Sequence, residues 1–202
     1  FLDPELYGVA IALAGDKAGQ LKNLKFEILY KKVNDGLGVY QIELTLPDAF
    51  RQIDLGQVSI TLPIIRIWIY TNGDFKVDFG FPENGNFARS FGLQMLPFTG
   101  AGGFYFGVMS GESSSRTPKS NRGNFSPVIE IGIGFRIGIG KEINKGILSA
   151  GVSVTLQGII EGAFATFNPY PGQSLPDSLF FFWIRGKFAL AGSYLPGLAR
   201  GR

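Results

Sequence analysis

A chain with no histidine and no cysteine has few chemistries open to it. Thiolate nucleophiles, Cys/His zinc sites and any triad with an imidazole base are excluded. Carboxylates, lysines, tyrosines and hydroxyls remain. Two carboxylates stand out by position: Glu130 in "PVIEIGIGFRIGIG" and Glu161 in "LQGIIEGAFATF" each sit inside a strongly apolar extended run. Loss of water there favours a protonated carboxyl, the form a general acid needs. The competing reading pairs them with cations on the polar side of the same strands, Arg136, Arg185 and Lys187, and ion pairing is the preferred role for all five. Glu43 and Asp78 read as solvated cross-strand partners of nearby cations.

The other candidate motifs carry less. "GAGGFYFG", residues 100–107, lacks the lysine and the helix of a phosphate-binding loop and does not fit a dinucleotide fingerprint. Glycines easing a tight strand entry explain it better. No spacing of aspartates resembles a calcium loop, and no metal or cofactor is expected. "ESSSRTPKSNRGN" reads either as a lid or partner-binding loop or as an idle insertion. Its Arg116, Lys119 and Arg122 are the nearest approach to a basic patch, read as a solvated loop. With a net charge of +3 and no basic stripe, nucleic acid is not an expected partner.

What must hold these residues is legible from periodicity. Apolar residues alternate along Tyr7, Val9, Ile11 and Leu13, along Phe26, Ile28 and Tyr30, along Tyr40, Ile42 and Leu44, and along Phe75, Val77 and Phe79. A period of two places each set on one face of a strand. "YTNGDF" predicts a two-residue type I′ hairpin with Asn72 and Gly73 at positive φ, and Pro63 predicts a bend within a strand that resumes as "IIRIWIY". "KEINKG" predicts a second hairpin, and "PDAFRQIDLG" admits one helical turn. The sum is an all-β antiparallel meander of about ten strands with little or no helix, as a closed or strongly curved sheet or a sandwich. Short connections are expected at one end and longer ones, near Asp16, Pro47, Pro82, Ser113 and Pro169, at the other.

Residues 127–146 pose the sharpest question. Ile129, Ile131, Ile133, Phe135, Ile137 and Ile139 share one face, while Glu130, Gly132, Gly134, Arg136, Gly138 and Gly140 share the other. Burying six such side chains stabilises by on the order of 10 kcal/mol before entropy is charged, so the apolar stripe is expected to be core. Glycine inside a strand costs roughly 0.5–1 kcal/mol, so the bare face implies that something approaches its backbone closely or that the strand curves toward it.

Composition limits the class. Hydrophobic residues make up 45% and charged residues 17%, the latter below the roughly 25% of ordinary soluble domains, so the protein is short of charged surface. Phenylalanine, at 19 residues, far exceeds tyrosine at seven and tryptophan at two, which favours dry contacts. The opening residues lack a basic leader, and their apolar run is too short for a transmembrane helix. A start at Phe1 rather than methionine reads as a processed product or a piece of something longer.

The expected organisation is one domain over residues 1–202, within a larger polypeptide or assembly. The expected function is non-enzymatic: a structural or binding module that presents apolar β-surface to other protein segments or to copies of itself. Its contact residues are Phe180, Phe181, Phe182 and Trp183, with Phe104 and Phe106. A membrane-embedded β-barrel or pore is the alternative, favoured by strand pattern but opposed by the length of the apolar run from Ile147 to Phe167. A carrier of lipid-like ligands is the third reading. The compartment is left open by a cysteine-free chain.

Overall fold

A computed structural model describes residues 5–13, 16–145, 148–172 and 179–195. Strand accounts for 67% of it and helix for 6%, as an all-β reading requires. The strands are β1 (Leu6–Ala12), β2 (Lys25–Asn34), β3 (Leu37–Thr45), β4 (Gln52–Asp54), β5 (Ser59–Thr61), β6 (Ile65–Tyr70), β7 (Phe75–Phe79), β8 (Phe91–Met95), β9 (Phe98–Met109), β10 (Gly123–Lys145), β11 (Leu148–Pro169) and β12 (Leu179–Leu195). All are antiparallel to their neighbours in one sheet, ordered β1-β2-β3-β6-β7-β9-β10-β11-β12, with β8, β5 and β4 on a branch from β9. The sheet is open, since β1 and β12 each pair with a single neighbour.

The branch has a simple origin. β7 pairs with residues 104–108 of β9 and β8 with residues 98–102, so β7 and β8 are successive stretches along one edge, interrupted by the 80–90 segment. β6 pairs with β7 and β5 with β8. The break between β5 and β6 falls at Pro63, which has no N–H to give to a ladder. The single α-helical turn among the described residues, Asp48–Arg51, lies in the predicted segment and separates β3 from β4.

This corrects the expected sorting of connections by length. The stretches near Pro47 and Pro82 are not end loops but interruptions within strand lines. The turns at 55–58 and 96–97 that close that end are short, the longer connection from β1 to β2 falls there as well, and the longer loop 110–122 lies at the opposite end with the turns at 35–36 and 71–73. "KEINK" is also strand: β10 runs through Lys145 and pairs down to Leu148, so the tip of that hairpin lies outside the described residues.

The Asn72-Gly73 hairpin forms, but not as type I′. Of the two residues only Gly73 has a positive φ, at 91°. The Gly73 N–H donates to the Tyr70 carbonyl at 3.0 Å and the Tyr70 N–H to the Asp74 carbonyl at 2.8 Å. That is a three-residue loop, a type I turn followed by a left-handed glycine. The Asn72 side chain accepts from the Asp74 N–H at 3.1 Å, an Asx contact that holds Asn72 out of the left-handed region.

The two faces of the sheet differ in the opposite sense to the one expected. The stripe from Ile129 to Ile139 is not core: Ile131 is 56% exposed, and Ile133, Ile137 and Ile139 are similar. The glycine side is the covered one, with Gly132, Gly134 and Gly138 all buried. Alternation fixes two faces but not which one the rest of the chain will cover. Here the 80–90 segment and the 110–122 loop both fold over the glycine side. The small buried clusters, Met109-Phe125-Val128-Ala165-Phe167 and Phe81-Tyr105-Ile159, lie on that same packed face. Pro127 lies within a register shift between Phe125 and Val128, and this bulge turns both Phe125 and Val128 to the packed side.

The bare positions are filled by neighbours. A Cβ on Gly132 would overlap the Tyr105 ring, and one on Gly134 would overlap the Pro82 ring of the 80–90 segment. Close approach therefore explains these glycines. Gly134→Val should cost about 1–3 kcal/mol by forcing the segment off the sheet. Gly162→Ala, on the apolar face with nothing nearer than 3.6 Å, should be close to neutral. Chemical denaturation of the two variants makes the comparison, and equal costs would contradict this placement of the 80–90 segment.

Candidate functional site

Strand register places many of the ionisable residues of the packed face in two adjacent rows across the sheet. One row runs Glu27, Glu43, Arg66, Asp78, Tyr105, Gly132, Glu161, Arg185 through β2, β3, β6, β7, β9, β10, β11 and β12. The next runs Gln41, Trp68, Lys76, Gly107, Glu130, Ala163, Trp183. The glycines in these rows are gaps over which long side chains reach. Tyr105 crosses Gly132 to donate its O–H to Glu161 Oε1 at 3.2 Å, and Lys76 crosses Gly107 to within 3.9 Å of Glu130.

Glu161, 4% exposed, is the hub. Its Oε1 accepts from Tyr105 and from the Arg116 guanidinium at 2.6 Å, and its Oε2 accepts from Arg185, its direct cross-strand partner. The Arg116 guanidinium lies over the Trp183 ring, 4.5 Å from its centroid, and Arg185 lies 5.7 Å from the same ring. Glu130, 3% exposed, accepts from the Ser114 hydroxyl and faces Lys76, whose ammonium sits 3.9 Å from the centre of the Tyr105 ring. A carboxylate removed from water survives only when its lone pairs are filled in this way.

Asp78 is not a solvated partner. It is 1% exposed, accepts the Phe81 N–H at 2.7 Å and sits beside Arg89 at 3.4 Å, both supplied by the 80–90 segment. Glu43 pairs with Arg66, and Arg66 and Arg89 share Glu83 at 3.5 and 3.3 Å. Arg116, expected in a solvated loop, is turned inward instead, while Lys119 and Arg122 remain exposed.

The five ion-pair candidates divide. Glu161 and Arg185 meet; Glu130 faces Lys76 rather than Arg136, which lies over the Phe87 ring at 4.9 Å; Lys187 lines a cleft beside Arg185. The six contact candidates divide by face. Phe104, Phe106, Phe180 and Phe182 stand exposed on the apolar face, whereas Phe181 packs near Phe125 and Trp183 sits with the arginines on the other. Tyr105, Lys76 and Arg89 were missed by sequence reasoning. Tyr105 was legible as the single polar-tipped residue between the phenylalanines of "FYF", but Lys76 and Arg89 become visible only once register is known.

Outside the strands, Asp74 ties the β6–β7 turn to the 110–122 loop. It accepts from the Ser110 N–H at 2.8 Å, the Ser110 hydroxyl at 2.6 Å, the Asn72 amide at 2.8 Å and the Ser113 hydroxyl. Partial burial pushes the Asp74 carboxyl up, but the hydrogen bonds from Ser110, Ser113 and Asn72 outweigh it and hold the pKa below its ordinary value. A depressed folded-state pKa contributes stability above the unfolded value, and that contribution is lost as pH falls through the folded one. The loop tether should therefore be intact at neutral pH and loosen in acid. The protection factor of the Ser110 amide against exchange should fall below about pH 4, the unfolded carboxyl value, and Asp74→Asn should flatten that acid-dependent fall. A pH-independent Ser110 would contradict the tether.

Among the described residues there is no cluster of three His, Cys, Asp or Glu suited to a metal, and no helix long and apolar enough to cross a membrane. Comparison with protein-family models, curated proteins and solved structures finds no match.

Proposed function

We propose that the chain is the wall of a membrane-embedded β-barrel, with its apolar face against lipid and its ion-paired face inward. The observation that carries this reading is the composition of the apolar face. From Tyr7, Val9 and Ile11 on β1, through the directly opposed positions of every strand to Phe180, Phe182, Ile184, Phe188 and Leu190 on β12, no position is charged. Most of these side chains are exposed. Soluble monomers rarely leave a contiguous apolar patch beyond about 300–600 Å² uncovered. This one extends over all nine strands of the main path.

Dimensions agree. Ten residue steps from Ile129 to Ile139 at about 3.3 Å each, on a strand tilted by about 40°, give a band roughly 25 Å tall, the height of a lipid-facing belt. The 23-residue β10 and the 22-residue β11, the second of which spans most of the Ile147 to Phe167 run whose length argued against a barrel, extend past such a belt at both ends. At one edge of the face Tyr7 stacks on Tyr30 with centroids 4.7 Å apart and Tyr40 lies tilted against Tyr30 at 5.0 Å, where amphipathic rings favour the headgroup level. In hydrocarbon no strand edge is left unpaired, so closure of the sheet through the β1 and β12 edges is part of the proposal.

The test is folding into phosphatidylcholine vesicles from urea. The expected product resists carbonate extraction, is protected from protease over its strands and keeps β-type circular dichroism. A monodisperse, folded species in plain buffer overturns the reading, and a defined oligomer there would instead favour a module that covers its apolar face with protein.

A further inference from the structure

The packed face also carries a solvent-open cleft of about 660 Å³ between the 80–90 segment and the β11–β12 pair. Its ionisable lining is Glu83, Arg116, Glu161, Arg185 and Lys187. Glu83 faces Arg66 and Arg89, which also pair with Glu43 and Asp78. Within the lining Glu83 and Glu161 stand against Arg116, Arg185 and Lys187, so the wall carries an excess of one cation. Donors are also left over. Arg116 gives Glu161 one terminal nitrogen, and Arg185 gives it Nε and one terminal nitrogen. Among the described residues Lys187 forms no ion pair or hydrogen bond with another side chain. The remaining wall includes Phe81, Pro82 and Ile159.

We infer that this cleft binds a small organic oxyanion, its carboxylate or phosphate held by Arg185, Lys187 and Arg116 and its apolar body against Phe81, Pro82 and Ile159. The size lies within the usual 300–1,000 Å³ of small-molecule sites. Guanidinium forks with spare N–H groups suit oxygens in pairs, and cations gathered along one cleft raise the local concentration of anions. The inference concerns the packed face alone and does not depend on what covers the apolar one.

Calorimetric titration of the full folded chain with benzoate, phenyl phosphate and the neutral analogue benzyl alcohol tests it. The two anions are expected to bind and the alcohol is not; binding of benzoate alone assigns a carboxylate ligand, and of phenyl phosphate alone a phosphate. Lys187→Gln, which disturbs no ion pair, should weaken binding about tenfold, the loss of one charge-assisted hydrogen bond. Equal affinity for the alcohol, unchanged affinity in Lys187→Gln, or no anion binding by a chain with intact circular dichroism would each overturn the site. A protein that folds without lipid yet binds the anion refutes the barrel and leaves this site standing.

Discussion

Glu161→Ala is expected to be the most damaging single substitution on the packed face, at about 3–5 kcal/mol. It strips the counter-charge from Arg116 and Arg185 and the acceptor from the Tyr105 O–H in one step. The two arginines are not equivalent. Arg185 has 49% of its side chain exposed and Arg116 24%, so water screens the Arg185 pair and Arg185→Met should cost no more than about 1 kcal/mol. Arg116→Met should cost more, because its guanidinium also covers Trp183 and anchors the 110–122 loop. Combining Glu161→Leu with Arg116→Met and Arg185→Met should recover much of the loss, since apolar replacement of a whole buried ionic cluster is often neutral. Urea unfolding of the four variants reads these differences. A cost below about 1 kcal/mol for Glu161→Ala would mean that the hub is solvated.

The second large effect is on the other face. Ile131→Arg should destabilise the protein in a bilayer by about 2–4 kcal/mol, the cost of a cation at the midplane of a lipid-facing strand. In water, the same change at a 56% exposed position would fall within about 0.5 kcal/mol of neutral. Arginine at Leu96, in the turn beyond β8 and 81% exposed, should cost about 0–1 kcal/mol in the same bilayer. Reversible unfolding from vesicles measures both. Equal, small effects at the two positions would show that Ile131 does not meet hydrocarbon.

Much of the fold was legible because its signals are local. Alternation in the strands, the proline break at Pro63, the helical turn at Asp48–Arg51 and the hairpin glycine at Gly73 each report on a few neighbouring residues. The site was less legible because its partners come from distant positions: Glu161 meets Tyr105 across 56 residues and Arg116 across 45. The sense of the faces was hidden for a related reason. A stripe of isoleucines opposed by glycines is the same pattern whether protein, lipid or a ligand covers it, and only the fold-back of the 80–90 segment and the 110–122 loop shows that the chain covers the glycine side. The bare face nonetheless carried a real signal, since the gaps at Gly132 and Gly134 mark the rings of Tyr105 and Pro82 lying close above them.

Tryptophan quenching by lipids brominated along their acyl chains tests the membrane account most directly. Both native tryptophans lie on the packed face, Trp68 donating to Gln41 at 3.2 Å and Trp183 beneath Arg116, so neither should be quenched strongly. In a Trp68→Phe, Trp183→Phe background, Ile131→Trp should lose most of its emission in brominated vesicles. Emission from Ile131→Trp at a water-like wavelength, undiminished by bromine while the β-type circular dichroism is intact, would contradict the account.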